Sequence, residues 1–65
     1  MKEKEETLEY NGYSCSVKLD KKRWVFWGEI LGIEEHIRFE GKGMREFIEN
    51  FHRTVDYYIL MKKGE

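Results

Sequence analysis

The fold of this chain is decided by the stretch WVFWGEILGI at residues 24–33, which runs directly into EEHIRFEG at residues 34–41. Residues that favour extended structure fill the first stretch, which predicts a β-strand from Trp24 to Ile30. Gly32 permits a tight reversal, and a second, shorter strand is predicted from His36 to Glu40. The two strands are therefore expected to lie at the centre of an antiparallel sheet.

The predicted strand from Trp24 to Ile30 is apolar on both sides. Alternation assigns its residues to two faces, one with Trp24, Phe26, Gly28 and Ile30 and the other with Val25, Trp27 and Glu29. A strand that is apolar on both sides is either covered on both or offers one side to a partner. The chain contains one predicted helix, so the second face is predicted to be a docking surface.

The segment before this strand supplies its antiparallel neighbour. From Tyr13 to Asp20, apolar and polar residues alternate, which predicts a half-buried strand with Cys15 on its apolar face. Lys21 to Arg23 form the connecting turn. Further upstream, Asn11-Gly12 is typical of a two-residue hairpin turn, although a glycine bulge within one long bent strand fits the sequence equally well.

Residues Met44 to Lys62 have the spacing of one amphipathic helix. The apolar stripe recurs every three or four residues and consists of Met44, Phe47, Ile48, Phe51, Val55, Tyr58 and Ile59. Gly64 is suited to the C-cap. The predicted fold is α+β, with a three-stranded antiparallel sheet and one C-terminal helix packed on one face, in the order β-β-β-α.

Length and composition predict one small domain at residues 7–65, preceded by a charged leader at residues 1–6. Twelve basic and thirteen acidic residues give a net charge of −1, which argues against binding of nucleic acid. The single cysteine excludes an internal disulfide and suits a reducing compartment. The leader is too charged for a signal peptide, and no apolar run approaches the ~20 residues of a membrane helix. These features predict a soluble, cytoplasmic protein.

The sequence shows no constellation of catalytic or metal-binding residues. Cys15, His36 and His52 lack the spacing of metal ligands. Asp20 and Glu29 lie on neighbouring predicted strands, but two-metal nuclease chemistry needs several carboxylates within a few ångströms. We therefore expect no catalytic residue, no metal and no cofactor, and a protein that is not an enzyme.

Several motifs nevertheless follow one another in an order that resembles the HicB antitoxin family. They are YNGYS at residues 10–14, Val17, WGEILGI at 27–33, IRFEG at 37–41 and FHRTVDYYI at 51–59. The family shows a Tyr-x-Gly-Tyr opening, a Gly-x-Ile/Val-Leu/Ile-Gly strand exit, an Ile-Thr-Phe-x-Gly strand and a helix with Phe-His-x-x-Val-Asp-Asp-Tyr. The resemblance covers residues 10 to 59, and its specificity comes from the shared order and spacing.

The resemblance implies a partial ribonuclease-H-like domain without catalytic carboxylates. It further implies an antitoxin that binds a HicA-like mRNA interferase and neutralises it by stoichiometric masking. Because such toxins bind RNA and are usually basic, an acidic contact surface is expected by charge complementarity. The residues expected to contact the partner are Trp27, Glu29, Glu34, Glu35 and Glu40.

The chain also departs from the family pattern. Arg38 stands where the family often has Thr, and Tyr57 where it often has a second Asp. Typical members continue into a DNA-binding domain, whereas this chain is expected to contain none and to bind no nucleic acid directly. Two other functions stay open on the sequence: a residual ribonuclease-H-like nuclease, and a stand-alone homo-oligomeric module that uses an open sheet edge.

Overall fold

The protein is described here by a computed structural model of residues 6–63, which form four strands and one helix. The elements are β1 (Glu6–Tyr10), β2 (Tyr13–Asp20), β3 (Val25–Leu31), β4 (Arg38–Gly41) and α1 (Met44–Lys63). The strands form one antiparallel sheet in the order β1-β2-β3-β4. The predicted α+β class is confirmed, but the predicted sheet of three strands lacks the first of the four.

The additional strand exists because Asn11-Gly12 makes a hairpin turn rather than a bulge. Both residues have positive φ, 55° for Asn11 and 86° for Gly12, and the strands pair directly around them, Tyr10 with Tyr13. Two central residues in the left-handed region are the signature of the tight turn whose twist matches that of the flanking strands. β1 begins at Glu6, the last residue assigned to the predicted leader, and residues 1–5 lie outside the described chain.

Strand register places the core between the sheet and the helix. Cys15 of β2 lies opposite Leu8 on one side and Ile30 on the other, so these side chains point to the same face. The helix covers this face, and the buried cluster consists of Cys15, Ile30, Phe47, Phe51 and Val55. The alternation predicted for β2 and the helical stripe predicted for residues 44–62 are confirmed at the residues of this cluster, whereas Leu19 and Met44, also assigned to the apolar side, are exposed. The helix extends one residue further, to Lys63. The predicted cap at Gly64 lies outside the described residues.

The turn between β2 and β3 is longer than the sequence suggested. The carboxylate of Asp20 accepts hydrogen bonds from the amides of Lys22 and Arg23, at 3.0 and 3.4 Å, and the Asp20 carbonyl accepts one from the Trp24 amide at 2.7 Å. Trp24 has a φ of 55° and a side chain that is 68% exposed. The prediction that β3 begins at Trp24 is therefore wrong. Trp24 belongs to the turn, which is closed by its hydrogen bond to Asp20, and β3 begins at Val25.

The ladder between β2 and β3 is interrupted in the middle. Cys15 pairs with Ile30 and Lys18 with Trp27, but the two positions in between on each strand are not paired. The Glu29 amide instead donates to the Ser16 hydroxyl at 3.2 Å. A Cβ atom on Gly28 would overlap the Ser16 carbonyl oxygen and lie 3.1 Å from the Phe47 ring, so only glycine fits this close approach.

The fourth strand starts later than predicted. The sequence placed it at His36 to Glu40, whereas β4 covers Arg38–Gly41 and His36 lies exposed in the preceding loop. One hydrogen bond, from the Ile30 amide to the Ile37 carbonyl at 3.1 Å, joins this loop to β3 just before β4 begins. The connection therefore covers residues 32–37.

Candidate functional site

The sheet face opposite the helix, called here the open face, is centred on Trp27. This residue lies on β3 between Lys18 of β2 and Glu40 of β4, which are its partners in register. Two cations approach the indole ring, Lys18 with Nζ at 5.6 Å and Arg38 with Cζ at 4.5 Å from the centroid. Both distances lie within the range of cation–π attraction. Trp27 is therefore a partly buried aromatic ring bracketed by positive charge.

Ion pairs surround this ring. Arg38 Nε lies 3.7 Å from Glu29 Oε2, and Arg23 Nη2 lies 3.0 Å from Glu40 Oε2. Their side chains are between 40% and 61% exposed, so each pair contributes less than about 1 kcal/mol to folding. A shallow cavity of about 460 Å³ lies among these groups, lined by Asp20, Arg23, Trp27, Arg38, Phe39 and Glu40. The pairs hold the side chains around the cavity without making them inaccessible.

The open face is thus less apolar than the sequence suggested. Val25, which shares this side of β3 with Trp27, is almost completely buried. The carboxylates of Glu29 and Glu40 are matched by arginines, so this face does not present a purely acidic surface. It combines one large aromatic ring with charges of both signs.

The five residues predicted to contact a partner occupy two places. Trp27, Glu29 and Glu40 lie together on the open face, because alternate residues of β3 and their register partner on β4 share one side. Glu34 and Glu35 lie in the loop at residues 32–37. Glu35 contacts the end of the helix, so it does not belong to the open face.

Glu35 is held by the last turns of α1. Its Oε1 accepts a hydrogen bond from the Tyr58 hydroxyl at 3.0 Å, and its Oε2 lies 3.8 Å from Lys62 Nζ. Hydrogen bonds from its own backbone amide and from Tyr58 lower the pKa of the Glu35 carboxyl. Burial, followed by the hydrogen bond to Glu35, raises the pKa of Tyr58. These contacts fix the loop against the helix and leave Glu34 exposed beside it.

The residues with metal-binding chemistry lie apart from one another. Cys15 is fully buried in the core, His36 is exposed in the loop, and His52 stacks on the Tyr10 ring at a centroid distance of 3.9 Å. Within residues 6–63, no group of three or more His, Cys, Asp or Glu side chains is placed to hold a metal ion.

The carboxylates considered for nuclease chemistry are also separated. Asp20 pairs with Val25, four residues along β3 from Glu29, which at ~3.3 Å per residue is a separation of about 13 Å. The Asp20 carboxylate caps the turn, and Glu29 pairs with Arg38. No observation on these residues favours the nuclease hypothesis.

Three features of the surface were not found from the sequence. The cations Lys18 and Arg38 reach Trp27 through strand register, which depends on a turn whose length the sequence leaves open. The Tyr10 hydroxyl donates to Asp56 Oδ1 at 3.0 Å and so joins β1 to the helix across 46 positions of the chain. The third feature is an exposed apolar patch with Tyr57 and Met61 on α1. The sequence could have indicated it, because both are large apolar residues that lie outside the predicted apolar stripe of the helix.

Cys15 gives a testable pH dependence. Burial raises the pKa of its thiol from 9.0 to about 11. Between these values the unfolded chain ionises at Cys15 while the folded chain does not, so the free energy of unfolding is expected to fall as the pH rises from 9 to 11. Urea unfolding of the wild type and of Cys15→Ala across this range should show the steeper loss in the wild type. Equal slopes would contradict the buried-thiol assignment, since the tyrosines titrate in both proteins.

Comparisons with models of known protein families, with curated proteins and with solved structures give no match for this chain. In the described part of the chain, α1 lacks the apolar length required of a membrane-spanning helix. A functional hypothesis therefore depends on the sequence motifs and on the geometry of the open face.

Proposed function

We propose that this protein is a HicB-like antitoxin that binds a HicA-like mRNA interferase and neutralises it by stoichiometric masking. The observation that carries the proposal is the position of Trp27. It directly precedes Gly28, where the strand-exit pattern of the family begins, and it stands at the centre of the sheet face that the helix leaves uncovered. The strand that carries the family pattern therefore also carries the ring at the centre of the open face.

The chemistry around Trp27 supports a protein partner. Tryptophan and arginine are the residue types most enriched among those that dominate binding energy at interfaces, and they act best at the centre of a contact with polar groups around it. On the open face Trp27 is central, Arg23 and Arg38 flank it, and Glu29 and Glu40 form the polar surroundings. The existing ion pairs limit the freedom of these side chains, so less conformational entropy is lost when a partner binds.

Electrostatics assigns different roles to the acidic residues. Glu29 and Glu40 are matched by arginines, so they contribute orientation rather than a large negative potential. Glu34 is exposed in the neighbouring loop and has no ion pair with another described residue. A basic toxin would be attracted to such a residue during encounter, an effect that raises the association rate and weakens as salt is added.

The two tryptophans provide a matched experiment. Trp27→Ala is expected to weaken binding to a HicA-like protein by about 30-fold, equal to ~2 kcal/mol for a central tryptophan. Trp24→Ala removes the same side chain from the exposed turn between β2 and β3, where it does not line the cavity beside Trp27, so it should bind as the wild type does. Co-purification of tagged pairs, titration calorimetry and relief of toxin-induced growth arrest measure the difference.

Two results would count against this proposal. One is a wild-type protein that neither co-purifies with the HicA-like protein nor relieves growth arrest. The other is equal binding by the Trp27→Ala and Trp24→Ala variants, which would remove the open face as the contact surface. Circular dichroism of both variants establishes that the fold is retained, because neither tryptophan belongs to the buried cluster.

A further inference from the structure

The β4 strand has a free edge with defined hydrogen-bonding groups. Among residues 6–63 it pairs with β3 on one side only and stands at the end of the sheet. The Ile37 carbonyl accepts from the Ile30 amide of β3, whereas the Glu40 carbonyl faces the other way and accepts from Asn50 Nδ2 at 2.7 Å. Since successive residues of an antiparallel strand alternate in direction, the amides and carbonyls of Arg38 and Glu40 are directed to the free edge.

The side chains on this edge are complementary to themselves. Arg38 and Glu40 have opposite charge, lie two residues apart and point to the same face of the sheet. A two-fold axis through Phe39 would place Arg38 of each copy opposite Glu40 of the other. The same axis brings the outward amides and carbonyls of these two residues into hydrogen-bonding register. The symmetry of a strand pair and the pattern of charge therefore agree.

We propose that the protein forms a homodimer in which the β4 strands of two copies pair antiparallel about Phe39. The sheets join into one of eight strands, counted over the described residues, with the cross-strand pairs Arg38–Glu40 and Glu40–Arg38. An equivalent pair already exists within one copy, where Arg38 lies 3.7 Å from Glu29 across the β3–β4 register. The Asn50 amide does not prevent the pairing, because a carbonyl oxygen accepts two hydrogen bonds.

The helix beside β4 carries the apolar part of this interface. Tyr57 and Met61 of α1 are 64% and 55% exposed, although both are large. They line a groove of about 360 Å³ together with Ile37 and Tyr58, and Tyr57 also borders Phe39 in the adjoining groove along β4. Antiparallel pairing of the β4 strands brings the two α1 helices to the same side of the joined sheet. Each copy then covers the patch of the other.

A second copy fits this surface better than an unrelated protein because the match is reciprocal. Opposite charges meet twice, and the apolar patch meets its own equivalent, which are the properties of a two-fold interface. A domain of this length buries only about 60% of the surface its unfolded chain exposes, so association also stabilises the fold. The inference goes beyond the antitoxin proposal and does not depend on it.

Charge exchange tests the interface. Sedimentation equilibrium from ~1 µM to 1 mM should show a dimer for the wild type, and Arg38→Glu or Glu40→Arg should each raise the dimer Kd about 10-fold by placing like charges opposite each other. The double variant Arg38→Glu/Glu40→Arg restores opposite charges and should return the Kd to within about threefold of the wild type. The double variant restores the charge pairs between copies but not the ion pairs to Glu29 and Arg23 within one copy. Recovery of the dimer Kd would therefore show that the single variants act on the dimer contact and not on folding.

Cross-linking tests the register. A mixture of Arg38→Cys and Glu40→Cys proteins should form a disulfide-linked dimer, because directly opposite residues of a hydrogen-bonded pair have Cα atoms about 5.5 Å apart. Either variant alone should cross-link poorly. Cys15 is present in both variants and is buried, so it should not form the disulfide between copies. A wild-type monomer at 1 mM overturns the proposal, as does a dimer indifferent to all charge changes.

Discussion

The substitution Gly41→Ala is expected to lower the free energy of unfolding by about 3 kcal/mol, the upper end of the usual cost of overpacking, and to leave a large fraction of the domain unfolded at 25 °C. A Cβ atom at this position would overlap the Phe47 amide and lie 2.7 Å from Phe47 Cα and 2.8 Å from the Glu46 carbonyl carbon. All of these are backbone atoms of α1, so no side-chain rotation relieves the overlap, and the helix has to move away from the sheet. In domains of this size a single hydrophobic core rarely supplies more than about 3–5 kcal/mol, so a loss of this size is a large part of the stability.

Gly43→Ala is the matched control for this substitution. The position lies two residues further along, and a Cβ atom there meets nothing within 4 Å. Because Gly43 immediately precedes the helix, replacing it with alanine is expected to cost less than about 1 kcal/mol. Urea unfolding followed by circular dichroism compares the two variants. If Gly41→Ala were as stable as Gly43→Ala, the close approach of α1 to β4 would be refuted.

Phe51→Ala is expected to cost about 3–5 kcal/mol, the range for truncation of a buried phenylalanine. The side chain is fully buried at the middle of the interface between helix and sheet. Its ring stacks on Phe39 at a centroid distance of 5.6 Å and meets Tyr10 edge-on at 6.2 Å, so it joins the helix to the first and the last strand. Because a single core in a domain of this size rarely supplies more than about 3–5 kcal/mol, the variant should populate the unfolded state.

Two further variants calibrate this measurement. Phe51→Leu retains most of the apolar volume and should lose less than half as much stability as Phe51→Ala. Leu60→Ala removes an apolar side chain that is 66% exposed on the same helix, and it should change the stability by less than about 1 kcal/mol. Thermal unfolding ranks the three variants. If Leu60→Ala lowered the unfolding temperature more than either Phe51 variant, the assignment of Phe51 to the core would be contradicted.

The sequence predicted best where a single period operates over many residues. The stripe of α1 and the alternation of β2 both identify residues of the buried cluster, among them Phe47, Phe51, Val55 and Cys15. In these elements the side-chain direction follows from backbone geometry, and an error of one residue at an end does not alter the face. The α+β class followed from the same two patterns.

The errors lie in the connections. Asn11-Gly12 is compatible with a turn or a bulge, and only the pairing of Tyr10 with Tyr13 decides between them. Trp24 continues the apolar pattern of β3 in the sequence. In the structure it belongs to the turn, which is stabilised by hydrogen bonds to the Asp20 carboxylate. Tertiary hydrogen bonds decide such positions, and they leave no periodic trace in the sequence.

The candidate site shows the same division. Trp27 and Glu29 were assigned to the side of β3 opposite Phe26 and Ile30 because alternation fixes the faces of a strand. Their cation partners depend on the register between strands, which follows from the length of the turns rather than from composition. The separation of Glu35 from the open face depends on the path of residues 32–37, a loop without regular structure.

The distribution of the core between sheet and helix has a consequence for synthesis of the protein. Three of the five residues of the buried cluster belong to α1, and this helix follows all four strands in the described chain. During translation the strands emerge first, with Cys15 and Ile30 still uncovered. A sheet without its helix exposes apolar surface and unpaired edges, the features that make partly folded chains aggregate. The helix that follows these strands is thus the element whose synthesis allows the apolar face of the sheet to be covered.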